Sequence, residues 1–202
     1  MKKTPEAFLK SCDPKLAKAI GGEPFKAYRN SDIYMDLIES IMSQQLSVKA
    51  AATIFGRFLD LFPKRYPEPM LVLELPDAEF RGAGVSRQKA GYLKNVALFA
   101  VENNLSLDAL KKLGDDEIIA LLTQIKGVGR WTVEMLLMFP LGRPDVFPAD
   151  DLGIQIAMKK LYGLRAKGSP LRKRMFAIAE KWRPHRTLAC KYLWRWRRAA
   201  VS

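Results

Sequence analysis

Along most of the chain, apolar residues recur every three or four positions, the period of helices laid on a core. No stretch alternates polar with apolar as a half-buried strand does. Ile33, Leu37, Ile38, Ile41 and Met42 form one such stripe. Val48, Ala51, Phe55, Phe58 and Leu59 form the next, with Ser47 as its N-cap and Pro63 past its end. Leu93, Val96, Ala97 and Val101 line a longer helix that Ser86 caps. Asp13-Pro14 predicts a cap followed by proline at the first helical position, with Gly21-Gly22 as the stop, and Ser169-Pro170 repeats that pattern. Pro69 opens a short helix, and Asp115 or Asp116 opens one that runs to about Gln124. Another follows Gly129 as far as Pro140, and Thr187 to Arg198 form a basic, aromatic helix. Asp150 is the expected cap of a helix running through Met158. The expectation is an all-α protein of roughly ten short helices with brief connections. It has no internal repeat, low-complexity tract or long linker.

Composition narrows this picture. The 202 residues hold one compact domain or two small lobes. No apolar run approaches the roughly 18 residues of a membrane span, so no membrane association is expected. The basic start Met1-Lys2-Lys3 has no apolar segment behind it, and a signal peptide is not expected. Cys12 and Cys190 are the only cysteines and His185 the only histidine, which fits free thiols in a reducing compartment. These three residues cannot build a structural zinc or iron–sulfur site of Cys and His, so no metal and no cofactor is expected. Thirty-four Lys and Arg against 21 Asp and Glu give a net charge of +13. A field of that sign attracts polyanions, and nucleic acid is the commonest one. The segment Lys159 to Arg198 contains a single acid, Glu180, as a phosphate-facing surface would.

The stretch with the most specific chemistry is Leu122-Thr123-Gln124-Ile125-Lys126-Gly127-Val128-Gly129-Arg130-Trp131-Thr132. One helix ends, two glycines bracket a single apolar residue, and a second helix begins at once. Glycines allow a tight turn and a close approach of backbone to ligand. The amides at the following helix N-terminus then favour an anion. Gly127, Val128, Gly129, Arg130 and Thr132 are accordingly the candidate phosphate grip. A plain helix–helix turn with Val128 plugging the core remains the alternative at this point.

Ile-x-Gly-Val-Gly-x-x-Thr resembles the helix–hairpin–helix of the DNA glycosylase superfamily that includes endonuclease III. The resemblance continues through Pro140-Leu141-Gly142-Arg143-Pro144-Asp145-Val146-Phe147-Pro148-Ala149-Asp150-Asp151 and spans the chain from about Ile33 to Trp196. Asp-Val-Phe-x-x-Asp-Asp is most similar to the alkylation-repair branch, DNA-3-methyladenine glycosylase II. The resemblance implies two helical lobes without an iron–sulfur cluster. Residues 31–140 would be a central bundle ending in the hairpin. Residues 1–30 with 141–202 would be the second lobe, with the catalytic acid at the cleft. The chain is expected to lack the extra β-rich domain of some alkylation glycosylases.

The resemblance also implies roles. Asp151 maps onto the catalytic aspartate, and a carboxylate there suits the chemistry, because breaking an N-glycosidic bond builds positive charge on the sugar. Bifunctional members place a lysine two residues after the second glycine. Trp131 stands at that position and cannot form a Schiff base, which implies a monofunctional hydrolase. Trp131 and Trp194 would line the base pocket, where an electron-rich ring attracts a cationic alkylpurine. Gln44 would line it too, while Gln45 and Leu46 share the role of wedge in the duplex. Trp182 reads as core, and His185 as a surface or hydrogen-bonding residue. The expected partner is double-stranded DNA with a damaged base, met by a monomer in the cytoplasm with the nucleoid, or in a nucleus. Two rivals remain: a glycosylase for uracil, mismatched thymine or an oxidised purine, and a non-catalytic helix–hairpin–helix protein that binds damaged DNA.

Overall fold

The computed structural model describes residues 3–26 and 32–199. The expected lobe boundary at residues 30 and 31 falls outside them, as does the Met1-Lys2 start. Thirteen α-helices, two short 3-10 turns and no strand occur among the described residues. The chain divides into two compact units, residues 29–136 and residues 1–28 with 137–202.

In the first of these units, α3 (Ile33–Ser43) carries the apolar stripe read from the sequence, and Ile33, Leu37, Ile38, Ile41 and Met42 are all buried. Around it lie α4 (Val48–Leu59), α5 (Pro69–Glu74), α6 (Asp77–Gly82) and α7 (Arg87–Glu102). Helices α8 (Leu107–Lys111), α9 (Asp115–Leu122) and most of α10 (Arg130–Met138) complete the unit. Both α3 and α5 pack on α7, and α3 packs on α4. Phe58 sits at the centre, edge-on to Phe62 at 5.1 Å and stacked on Phe80 at 6.0 Å. Ser47, Ser86 and Ser106 cap α4, α7 and α8 through their hydroxyls. Two stripe members depart from expectation. Val48 occupies the first helical position of α4 and is 90% exposed, because the buried face starts with Ala51 and returns at Phe58, two turns on. Val101 lies in the last turn of α7 and is 50% exposed, past the end of the face that buries Leu93, Val96 and Ala97.

The other unit comprises α1 (Pro5–Cys12), α2 (Pro14–Ala17), α11 (Leu152–Tyr162), α12 (Gly168–Ala179) and α13 (Arg186–Ala199). Helix α12 begins at Gly168 with Lys167 at the cap position, so Ser169 falls within its first turn and does not cap it. The unit's hub is Asp13, 1% exposed. One oxygen caps α2 by accepting from the amides of Lys15 and Leu16 at 3.0 and 3.1 Å. The other accepts from Tyr162 Oη at 2.6 Å, from Trp182 Nε1 at 2.8 Å, and pairs with Lys181 Nζ at 3.1 Å. Trp182 is fully buried, as expected for core. A carboxylate so deep is tolerated only because each lone pair is used.

Burial by itself pushes the Asp13 carboxyl upward, but the hydrogen bonds from Tyr162, Trp182, the Leu16 amide and Lys181 outweigh it and hold the group below its ordinary value of 3.8. A lowered folded-state pKa stabilises the fold at pH values above the unfolded pKa, and that contribution is lost as acid protonates the folded form. The stabilisation from Asp13 is therefore complete at neutral pH and disappears only below about pH 4. Asp13→Ala strands two buried donors and is expected to lower unfolding free energy by about 3 kcal/mol at pH 7. Urea titrations of variant and wild type at pH 7 and pH 3 check this, the difference shrinking at the lower pH.

Candidate functional site

The hairpin joins α9 to α10. Ile125 and Val128 are buried beneath it, and the Val128 amide donates to the Ile125 carbonyl at 2.9 Å. Val128 thus plugs the core, and what the turn presents outward is its backbone. Gly127 has φ +108°, and a Cβ there would lie 2.4 Å from the Tyr92 ring, so both conformation and space demand glycine. Gly129 differs: it is exposed, and nothing lies within 4 Å of where its Cβ would be. Its smallness answers to no neighbour in the fold and leaves the turn open to an approaching chain. Arg130 is exposed and its Nε bonds Glu134 at 3.0 Å, one helical turn on. Thr132 is buried, its hydroxyl accepting from Ser40 at 3.4 Å, so its side chain is turned inward and only its place in the first turn of α10 remains available to an anion.

Beside the hairpin lies a cavity of about 540 Å³, lined among others by Gln44, Gln45, Lys89, Tyr92, the hairpin glycines and Trp131. Trp131 is 42% exposed. Gln44 ends α3, and its Nε2 donates to the Gly127 carbonyl at 3.1 Å. Gln45 follows in the left-handed region with φ +58°, and Gln45 and Leu46 are both exposed. The two residues named as wedge therefore sit at the tip of a loop whose base is tied to the hairpin. Neither Lys89 nor Tyr92 was singled out from sequence. Their role comes from contacts 35 to 47 residues away along the chain, which no local spacing reveals.

The paired aspartates lie in the other unit. Asp151, not Asp150, is the N-cap of α11, its Oδ1 accepting from the Ile154 amide at 2.7 Å. The expected assignment of the cap to Asp150 is thus corrected. The helix starts at Leu152, and residue 151, immediately before it, has the extended backbone and the three-residue reach that a cap needs. Asp150 is exposed and pairs with Arg172 at 3.1 Å. Asp151 Oδ1 also accepts from Trp194 Nε1 at 2.8 Å. The Trp194 ring stacks on Phe139 at 6.0 Å, so one of its faces is occupied and its N–H is committed to the carboxylate. A Cβ on Gly153 would lie 3.0 Å from both Trp194 and Asp151, which explains a glycine within the first turn.

The loop before Asp151 is fixed from α13. Arg186 grips Asp145 with Nε at 2.7 Å and Nη2 at 3.0 Å, the geometry of a bidentate pair. The Thr187 hydroxyl donates to the Arg143 carbonyl at 2.7 Å and accepts from the Val146 amide at 3.0 Å. Part of the one-signed tail thus works internally, with Arg172, Arg183 and Arg186 paired to acids. His185 lies edge-on to Phe8 at 5.5 Å. Among the described residues, no group of His, Cys, Asp and Glu could hold a metal ion, and no helix is long and apolar enough to cross a membrane.

Comparison with known proteins gives concordant results. A family model described as "HhH-GPD superfamily base excision DNA repair protein" matches residues 38–184. The chain is 36% identical over 169 residues to YfjP of Bacillus subtilis, covering 81% of this chain and 58% of the relative. It is 36% identical over 184 residues to DNA-3-methyladenine glycosylase 1 of Schizosaccharomyces pombe, covering 90% and 80%. The chain therefore spans less than two thirds of the first relative and four fifths of the second. Among solved structures, the Schizosaccharomyces pombe 3-methyladenine DNA glycosylase Mag1 in complex with abasic DNA superposes with a TM-score of 0.82. It is 35% identical, with 96% of each chain covered.

The two hairpin glycines are expected to behave differently on substitution. Gly127→Ala forces a methyl into Tyr92 at a positive φ and is expected to lower stability by about 2 kcal/mol. Gly129→Ala, with open space around it, is expected to change stability by less than about 0.5 kcal/mol. Thermal unfolding of the two variants beside wild type measures both.

Proposed function

Because the chain belongs to the HhH-GPD superfamily of base excision DNA repair proteins, we propose that it is a monofunctional DNA glycosylase. It hydrolyses the N-glycosidic bond of alkylated bases of the 3-methyladenine type in double-stranded DNA. The observation that carries this reading is the Asp151 carboxylate, whose Oδ1 is fixed by the Ile154 amide and the Trp194 indole N–H. A carboxylate held by two donors is already oriented before substrate arrives, which is what stabilising a developing oxocarbenium ion requires.

In the proposed reaction the base leaves the stack, and Trp131, part-exposed on the cavity wall, receives it, its indole attracting the positive charge of an alkylated purine. The bond from C1′ to the base then breaks, and its electron pair departs with the base, neutralising that charge. Asp151 stabilises the cationic sugar and directs a water to C1′, its carboxylate taking the water's proton as the new bond forms and passing it on to solvent. The products are the free base and an abasic site. Trp194 orients Asp151, with Phe139 behind it. Trp131 has no amine, so no covalent intermediate forms. The hairpin amides and the exposed tail lysines and arginines hold phosphates on either strand. Gln45 or Leu46 enters the gap the base leaves. No cofactor takes part, and a monomer suffices for one lesion.

Asp151→Asn tests the assignment cleanly, because asparagine caps a helix as well as aspartate does and the fold is preserved. Release of 3-methyladenine from methylated DNA is expected to fall roughly 10²-fold or more. A wild-type rate in that variant would mean that Asp151 is not the catalyst. A panel of duplexes, each with one alkylated base, uracil, mismatched thymine or oxidised purine, assigns the lesion class, alkylated purines being the expected substrates. Borohydride should trap no protein–DNA adduct, and an adduct would contradict the monofunctional mechanism. Duplex affinity is expected to fall steeply between about 50 and 200 mM salt.

A further inference from the structure

The residues Lys89, Tyr92 and Asn95 recur every third position on α7 and share one face of that helix. All three bear on the two loops assigned to DNA. Lys89 Nζ donates to the Met42 carbonyl at 2.7 Å, within the last turn of α3. Tyr92 lies under Gly127. Asn95 Nδ2 donates to the Lys126 carbonyl at 3.1 Å. One rigid helix face therefore touches both the root of the Gln44–Leu46 loop and the underside of the hairpin, and Gln44 closes the circuit by bonding Gly127.

Lys89 occupies the position in this circuit that sequence conveys least. Carbonyls in the last turn of a helix have no intrahelical donor, and a cation there also meets the negative end of the macrodipole. Spanning from α7, the Lys89 amine satisfies Met42 and holds α3 intact to Ser43. The backbone then passes directly into Gln44 and the left-handed Gln45. Lys89 is half-buried, and desolvation lowers the pKa of its amine.

On the glycosylase reading above, we propose that Lys89 is a positioning residue for base extrusion: it sets the angle at which Gln45 and Leu46 enter the duplex relative to the hairpin. It acts on the loop through its bond to the Met42 carbonyl, from the wall of the cavity that it shares with Gln44, Gln45 and Trp131. Its loss should therefore hinder opening of a paired lesion while sparing cleavage of a base that is already unpaired.

Single-turnover excision of 3-methyladenine from two duplexes tests this, one with thymine opposite the lesion and one with an abasic analogue opposite. Lys89→Met keeps the aliphatic stem and removes the donor. Its rate on the paired duplex is expected to fall about tenfold, with the unpaired duplex affected less than about twofold. Lys89→Arg, which restores a cationic donor, should return the ratio of the two rates toward wild type. Both rates are read on the same protein, so the folded fraction cancels from the ratio. Lys89→Gln provides the same readout if the methionine variant does not accumulate. An equal loss on both duplexes, or no loss on either, would overturn the proposal. So would a shallower salt dependence of binding to undamaged duplex, since that marks a direct phosphate contact. Wild-type protein that excises neither substrate would instead sink the glycosylase reading on which the assignment rests.

Discussion

A helix leaves four amides and four carbonyls without partners at its ends, and the thirteen helices among the described residues meet that problem again and again along the chain. How the ends are satisfied governs much else in this molecule. Serines at positions 47, 86 and 106 answer with hydroxyls at exposed starts. Where a start is buried the answer is a carboxylate with further partners. Asp13 caps α2 while binding Tyr162, Trp182 and Lys181, and so knots one unit together.

The same constraint produces the candidate chemistry. Asp151 is first of all a cap, and the amide that completes α11 also immobilises one oxygen of the carboxylate. Trp194 supplies a second donor to that oxygen, so the catalytic proposal needs no special arrangement beyond a helix start and an indole that reaches it. The hairpin is likewise the junction of two helix ends, with its apolar residues turned inward and its backbone outward. The Gln44–Leu46 loop begins at the C-terminus of α3, where a lysine from another helix supplies the missing donor. The sites proposed for function in this chain lie where helices stop, because those are the places where backbone groups and chain direction are available.

Charge enters at a different level. The net +13 favours approach to a polyanion over distances up to about a Debye length, but it does not position anything. Arg183 and Arg186 show the difference: both belong to the basic tail, and both are tied to Asp145, where they brace the loop that leads to Asp151. Counting basic residues overstates the surface available to phosphate by those that brace the fold.

Periodicity and capping residues were enough to place most helices, because both act over three or four neighbours. The buried stripe of α3, the Ser47 and Ser86 caps and the Gly-Val-Gly turn all belong to that local order, whereas the expected Ser169 cap did not form because the helix starts at Gly168. Val48 and Val101 escaped it because a stripe does not say where along a helix its packing partner ends. Asp150 and Asp151 could not be separated for a related reason, since the cap falls to whichever residue holds an extended backbone at the helix boundary, and that boundary is set by packing. Lys89, Tyr92, Gly153 and Phe139 were beyond the reach of sequence altogether. Their meaning lies in contacts with Met42, Gly127, Asp151 and Trp194, which only the folded chain brings within a few ångströms. The residue types that the chemistry needs were thus legible in the sequence by itself, while the tertiary structure decided which of them are held still, and by what.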